Sequence, residues 1–204
     1  MSRFFQVKSS EDVIFTSDRG ISTLLTASKA IKSREAVGVW IFGGKVWKVF
    51  SHVEKSNGRT QILGDLQNNY ELASRWGLPI GKCTFMPGKV QVGKNIATNG
   101  FVLVTEEMAG TNFQKSKSSF IAALKKEGVP KNKYDADYQK ILAACMAAKN
   151  IGLKDCQGFI KTGVREPLRF IDVHTGWNKC KGCFDDSGQA VALLEAIEAW
   201  PTMK

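Results

Sequence analysis

The chain has 204 residues, of which 43% are hydrophobic and 10% aromatic, a composition that rules out intrinsic disorder as the default and allows a buried core. No stretch approaches the roughly 20 consecutive apolar residues of a membrane-spanning helix, and the N-terminus lacks the apolar core of a secretory signal. The 29 Lys and Arg side chains against 19 Asp and Glu give a formal net charge of +10, which favours anionic partners such as nucleic acid.

The first predicted element is a helix that begins after residues 16–18. The Thr, Ser and Asp side chains at these positions can accept hydrogen bonds from the free amides of a first turn. Between Ile21 and Ile31, apolar residues recur at the spacing of one face of an α-helix. The sequence therefore predicts that the fold begins with an N-terminal helix.

An antiparallel β-meander is predicted next. Gly43-Gly44 separates two runs of β-branched and aromatic residues, and such a pair is typical of a tight hairpin turn, which needs positive φ. The meander has about three to five strands, predicted at residues 37–42, 45–53, 60–66, 83–92 and 100–105. A short helix is expected at 69–76, within this region.

The second half of the chain is predicted to be mainly helical. Helical spacing and capping residues predict helices at 116–127, 135–150 and 187–200, with one short strand at 168–174. A helix, then antiparallel strands, then helices is an α+β order and not a βαβ alternation. We expect a single α+β domain over 1–204, with a possible weak division near 108–116.

The basic residues predict a nucleic-acid interface. On the second strand of the meander, Trp47 and Phe50 lie on opposite faces, so one of these rings is expected to be exposed between lysines. Exposed rings stack on bases while ammonium groups hold phosphates, which favours RNA or single-stranded DNA. The candidate residues are Lys45, Lys48, Phe50, Arg59, Lys115, Lys117, Lys125, Lys126, Lys131 and Lys133. The acidic C-terminal helix is expected to lie away from this basic face.

Five cysteines, an odd number in a chain without a secretory signal, indicate a reduced, cytoplasmic compartment. A Cys-x-x-Cys pair lies close to a histidine, so a structural zinc is possible. Its ligands would be Cys156, His174, Cys180 and Cys183. The alternative is that these are ordinary thiols in a turn, and the protein needs no cofactor.

Two other classes of function stay open. Asp172 and His174 share one side of the predicted strand, and a nearby cysteine would complete a site for an enzyme acting on an anionic substrate. No stretch carries a nucleophile elbow, a kinase motif or a metalloprotease helix, so we favour binding over catalysis. The third class is a self-assembling structural or partner-binding protein, and packaging of nucleic acid by a homo-oligomer would combine it with the first.

Overall fold

The computed structural model describes residues 11–31, 36–51, 62–154, 156–175 and 187–203. They form two compact units, which we call the sheet unit (within Met1–Leu63 and Lys82–Glu107) and the helical unit (within Gly64–Gly81 and Met108–Lys204). The expectation of one integrated domain stays a prediction. Over the part of the chain described, no helix is both long and apolar enough to cross a membrane.

The sheet unit is a curled, six-stranded antiparallel sheet with the strand order β2-β1-β5-β6-β4-β3. Its strands are β1 (Val13–Ser17), β2 (Ser22–Leu25), β3 (Gly38–Phe42), β4 (Lys45–Ser51), β5 (Cys83–Val92) and β6 (Thr98–Glu106). The β3–β4 hairpin confirms the prediction made from Gly43-Gly44, and both glycines have positive φ. Trp40 is 2% exposed in the core of this unit, and its indole nitrogen donates a hydrogen bond to the Thr26 carbonyl at 2.9 Å.

The predicted N-terminal helix is wrong, because this region forms the β1–β2 hairpin and a short 3-10 turn at Ala27–Lys29. Of the apolar residues that suggested a helical face, Ile21, Leu24 and Ile31 are 66%, 59% and 50% exposed, and Leu25 is 2% exposed. Val13 and Phe15 are buried instead, at the alternating spacing of a strand that pairs with β5. Pairing with a strand distant in sequence therefore overrides the local helical pattern.

The third predicted strand, 60–66, is also wrong where the structure describes it. Ile62–Arg75 is the helix α1, and β4 pairs with β6 instead of the next segment along the chain. Leu66, Tyr70 and Ala73 are buried at helical spacing. The predicted meander is thus corrected to a curled, six-stranded antiparallel sheet, a half-barrel, that is assembled through long-range pairing.

The helical unit contains α1 and the three helices predicted for the second half, α2 (Lys117–Lys126), α3 (Ala136–Asn150) and α4 (Ser187–Ala199). Ser116 and Asp135 cap α2 and α3 through side-chain oxygens that accept from first-turn amides. This half is less purely helical than expected, because it also holds five short strands. They are β7 (Thr111–Phe113), β8 (Leu153–Lys154), β9 (Gln157–Ile160), β10 (Leu168–Ile171) and β11 (His174–Thr175).

The small strands of the helical unit pair in two sets. One set has the order β10-β9-β7, and the other joins β11 to β8. Fully buried Phe113 packs edge-to-face on Phe120 of α2 and Phe170 of β10, with ring centroids 5.1 and 6.1 Å apart. These contacts fix β10 against the body of the unit, and the chain leaves β10 at Asp172.

Candidate functional site

Asp172 has an unusual backbone conformation. The predicted strand 168–174 is interrupted here, because β10 ends at Ile171 and β11 begins at His174. The φ angle of Asp172 is 52°, and it is the only non-glycine residue with positive φ among those that the structure describes. The left-handed conformation costs an L-residue roughly 1–2 kcal/mol, and such strain is concentrated at functional sites.

A side chain from the neighbouring strand holds the Asp172 carboxylate. Gln157 is the first residue of β9 and lies opposite Ile171 in the β9–β10 pair. Its Nε2 donates a hydrogen bond to Asp172 Oδ2 at 2.9 Å, and both side chains are half-buried. The bond joins residues 15 positions apart and fixes the carboxylate at the end of β10.

The second strand pair brings further polar residues to the same segment. In the β8–β11 pair, Lys154 lies opposite His174 and Leu153 lies opposite Thr175. The two segments that flank the Gln157–Asp172 contact, β8 before Gln157 and β11 after Asp172, therefore lie side by side. The alternation argument that placed Asp172 and His174 on one side of a continuous strand fails, because Asp172 interrupts that strand; the His174 side chain lies outside what the structure describes.

Cys156, which directly precedes Gln157 in the chain, is a buried thiol. Cys156 is fully buried, its Sγ lies 3.5 Å from the Leu153 carbonyl oxygen, and its backbone amide donates to Gln189 Oε1 at 3.1 Å. Burial raises the pKa of the Cys145 thiol, and the neighbouring Cys156 raises it further. A nucleophilic cysteine needs access and a lowered pKa, so these thiols do not fit that role.

The structure does not show the four proposed zinc ligands together. Cys180 and Cys183 lie outside the described residues, and Cys156 points toward a backbone carbonyl. No group of three or more potential ligands from His, Cys, Asp and Glu occurs within the described ranges. The structural zinc therefore stays a prediction.

Asp172 and Gln157 carry a different type of donor. Carboxylate and carboxamide oxygens are hard ligands, which Mg²⁺ and Ca²⁺ prefer over thiolates or imidazoles. Mg²⁺ in particular is held by one or two protein carboxylates together with substrate phosphates, and needs no cage of many acidic residues. The contact between these two side chains is therefore compatible with a site that binds a cation together with an anionic substrate.

In the sheet unit, several of the residues predicted to bind nucleic acid pack against neighbouring side chains. Phe50 is 6% exposed and stacks on Phe101 with centroids 4.6 Å apart, so its ring is covered and its burial argues against base stacking. Lys48 is half-buried on β4, and its Nζ lies 5.6 Å from the Phe50 centroid. Trp47 stacks on Phe42. Lys45 is exposed, and Arg59 lies outside the described residues.

The remaining predicted lysines lie in the helical unit. Lys117 Nζ is 3.5 Å from Glu195 of α4. The acidic helix was expected to lie away from the basic residues, and this expectation is wrong for Lys117. Lys131 donates to the Met203 carbonyl and lies over the Trp200 ring. The other four are exposed, namely Lys115, Lys125, Lys126 and Lys133.

Two residues of interest were not predicted from the sequence. Gln157 had no role assigned, because a lone glutamine at the start of a short strand carries no recognisable pattern. Tyr134 directly precedes Asp135, the N-cap of α3, and is 94% exposed beside Lys133.

Comparison with known proteins finds no match to any family model, curated protein or solved structure.

Proposed function

We propose that this protein is an enzyme that uses Mg²⁺ to transfer the terminal phosphate of a nucleoside triphosphate. The observation that carries the proposal is the Asp172 carboxylate, which stands on left-handed backbone and accepts a hydrogen bond from Gln157. This proposal differs from the enzyme alternative raised by the sequence, which placed Asp172 with His174 and a cysteine.

The backbone conformation of Asp172 supports a functional role. Aspartate enters the left-handed region more readily than most L-residues, and the β9–β10 pair and the Gln157 bond constrain it further here. Glycine would adopt this backbone without penalty, so a use for the carboxylate is consistent with its presence. Cation binding is one such use.

The two side chains also supply a suitable pair of donor atoms. Protein kinases hold their Mg²⁺ ions with one aspartate and one side-chain amide. Asp172 and Gln157 provide the same two oxygen types. The net charge of +10 further favours an anionic substrate.

Each residue then has a defined task. Bound Mg²⁺ would neutralise charge that develops on the transferred phosphoryl group. Asp172 and Gln157 would hold that ion, and the Gln157–Asp172 hydrogen bond would keep the carboxylate in one orientation. Buried Cys156 would support the backbone of β8 and β9 without taking part in the chemistry.

The test is transfer of radiolabelled γ-phosphate from ATP, to water, to the protein itself or to a mixed protein substrate. We expect transfer that requires Mg²⁺ and stops with a chelator. Asp172→Asn keeps the size of the side chain and removes its charge, and should lower the rate by about 100-fold or more. Gln157→Ala should lower it as well.

Glu195→Gln is the matched control, since it makes the same carboxylate-to-amide change on an exposed residue of α4. It should leave the rate unchanged. Absence of transfer by the wild-type protein under all three acceptor conditions would contradict the proposal, as would full activity in Asp172→Asn.

A second candidate function, binding of single-stranded nucleic acid, is supported by Tyr134. Its ring is 94% exposed beside Lys133, with exposed Lys125 and Lys126 at the end of the preceding helix. Stacking of one base on such a ring contributes about 1–3 kcal/mol. Titration of labelled single-stranded RNA at two salt concentrations tests this: affinity should fall with salt and with Tyr134→Ala, and salt-independent binding would contradict it.

Three further properties stay proposals. A structural zinc held by the Cys-x-x-Cys segment is tested by metal analysis of protein purified without chelators. Self-association, including assembly on nucleic acid, is tested by light scattering with and without RNA. A cytoplasmic location is tested by fractionation of the cells that produce the protein.

A further inference from the structure

The strand β2 is an open edge of the sheet unit. It lies at one end of the strand order, and within the described residues it pairs only with β1. The strand at the other end of the order, β3, is partly occupied, because Val39 and Ile31 exchange backbone hydrogen bonds of 2.7 and 3.1 Å. An edge strand presents unpaired amides and carbonyls to solvent, and another strand can pair with them.

The register of the β1–β2 hairpin identifies the backbone groups that are available. The Ser17 amide donates to the Ile21 carbonyl at 2.9 Å, and the residues two and four positions after Ile21 face β1 in the same way. In an antiparallel pair the intervening residues direct their amides and carbonyls to the opposite side. Ser22 and Leu24 therefore offer two donors and two acceptors along the outer side of β2.

The side chains of β2 do not protect this edge. Natural edge strands commonly carry lysines, prolines or bulges that prevent pairing with another chain. β2 has the sequence Ser-Thr-Leu-Leu, without a charge or a proline, in a chain that has 29 Lys and Arg. Leu24 is 59% exposed, and Ile21, just before the strand, is 66% exposed. An uncharged edge with exposed aliphatic side chains is typical of an interaction surface.

A second copy of the same strand fits this edge. In an antiparallel pair related by a two-fold axis, Ser22 of each copy can lie opposite Leu24 of the other, which forms four backbone hydrogen bonds. Registers that place Ser22 opposite Ser22, or Leu24 opposite Leu24, form only two within β2. The four-bond register sets Thr23 on the axis and brings the two exposed Leu24 side chains to diagonal positions, which are within contact distance.

The charges at the two ends of the hairpin are complementary in this register. Arg19 is exposed in the turn before β2, and none of the ion pairs within the described ranges includes it. At the other end, the exposed Asp12 carboxylate accepts from the Ala27 amide at 2.7 Å. Arg19 and Ala27 are equally distant in sequence from Thr23 on the axis, so Arg19 comes opposite Ala27 of the second copy. Each guanidinium then lies next to an Asp12 carboxylate of the other copy.

We infer that the β2 edge binds the β2 edge of a second copy of this chain and joins the two six-stranded sheets into one antiparallel sheet. The same surface is used on both copies, so the dimer closes and leaves neither β2 edge exposed. The inference is independent of the proposed phosphate transfer. It gives the self-association proposed above a defined surface and register.

Sedimentation equilibrium of the wild-type protein and its variants measures the Kd of the dimer. Leu24→Lys places a like charge in both copies at the pairing edge and should weaken dimerisation by about tenfold or more. Ile96→Lys is the matched control, because it makes the same change at a 91% exposed aliphatic residue between β5 and β6. It should leave the Kd within about twofold. Circular dichroism verifies that each variant is folded.

A charge exchange tests the predicted contact between Arg19 and Asp12. Arg19→Glu and Asp12→Lys each create two like-charge pairs in their own dimer and should weaken it by about threefold or more. An equimolar mixture of the two variants can form a heterodimer with two opposite-charge pairs, and it should regain most of the wild-type affinity. A purely structural defect at either position would not be rescued by mixing.

Cysteine cross-linking tests the register. Thr23 faces Thr23 of the second copy as a pair without hydrogen bonds, whose Cα atoms are about 4.5 Å apart, so Thr23→Cys should form a covalent dimer with oxidised glutathione. Ser22 is diagonal to Ser22 of the second copy, beyond the roughly 7 Å limit of a disulfide, so Ser22→Cys should not. The wild-type protein, with its own five cysteines, is oxidised in parallel.

Four results would overturn the inference. They are a wild-type protein that stays monomeric, an equal loss of affinity in Leu24→Lys and Ile96→Lys, no rescue by mixing the charge variants, and cross-linking of Ser22→Cys in place of Thr23→Cys. A dimer that Leu24→Lys leaves intact would overturn it in favour of another surface of the chain. A monomer whose β2 edge binds an extended peptide of unrelated sequence would overturn it in favour of a different protein partner.

Discussion

Replacing Asp172 by glycine and by alanine separates the backbone strain at the candidate site from its hydrogen bond. Both variants lose the bond from Gln157, which costs about 1 kcal/mol. Alanine must still adopt φ near 52°, whereas glycine does so freely, a difference of about 1–2 kcal/mol. Glycine gives back roughly 0.4–1 kcal/mol through the entropy of the unfolded chain. Asp172→Gly should therefore be the more stable variant by about 1 kcal/mol.

Urea unfolding followed by circular dichroism measures this difference as a shift in midpoint at constant slope. The control pair is Glu195→Gly and Glu195→Ala, in the middle of α4, where glycine should be less stable by about 1 kcal/mol. The sign of the glycine effect thus reverses between the two sites. If Asp172→Ala proved as stable as Asp172→Gly, residue 172 would not be held in a left-handed conformation and the strain argument would fail.

Three more predictions concern the two cores and a buried thiol. Phe113→Ala should lower the free energy of unfolding by about 3–5 kcal/mol, because it empties the centre of an aromatic cluster, and Phe113→Leu by less, both measured in urea. Trp40→Phe leaves the Thr26 carbonyl without its donor and should cost about 1–3 kcal/mol in the same assay. Burial raises the pKa of Cys145 above its usual 9.0, so the folded state retains a proton that the unfolded state releases. Stability should fall as pH rises above about 9, and less steeply in Cys145→Ala; an equal slope would contradict this.

Local signals predicted several elements correctly. The β3–β4 hairpin follows from two adjacent glycines, and α2 and α3 follow from Ser116, Asp135 and the apolar spacing after each cap. These signals act within one turn of the chain. For that reason they survive in the folded protein.

The elements that were predicted wrongly depend on partners far away in sequence. β1 is a strand because it pairs with β5, more than seventy positions later. The residues used to predict a helix, 16–31, contain no information about that partner. β4 likewise pairs with β6, across the whole of α1. Long-range strand pairing determines the secondary structure of these segments, so local periodicity could not predict it.

The candidate site was predicted in part. Asp172 was singled out, but as one of two residues on a continuous strand, whereas its distinctive property is the break in that strand. A positive φ at aspartate is imposed by the surrounding fold, so composition cannot reveal it. Gln157 becomes notable only once β9 and β10 are paired. The lysines near Phe50 on its strand made its ring a candidate for stacking on bases. The ring is covered by Phe101 of β6, which is distant in sequence.

The central claim is that Asp172 and Gln157 hold the divalent cation that accompanies a nucleotide. The most direct measurement is a titration with Mn²⁺, a paramagnetic substitute for Mg²⁺, followed by electron paramagnetic resonance in the presence of a non-hydrolysable ATP analogue. The wild-type protein and the Glu195→Gln control should bind Mn²⁺ with equal affinity, and Asp172→Asn should bind it at least about tenfold more weakly. Equal Mn²⁺ affinity in the wild-type protein and Asp172→Asn would contradict the account.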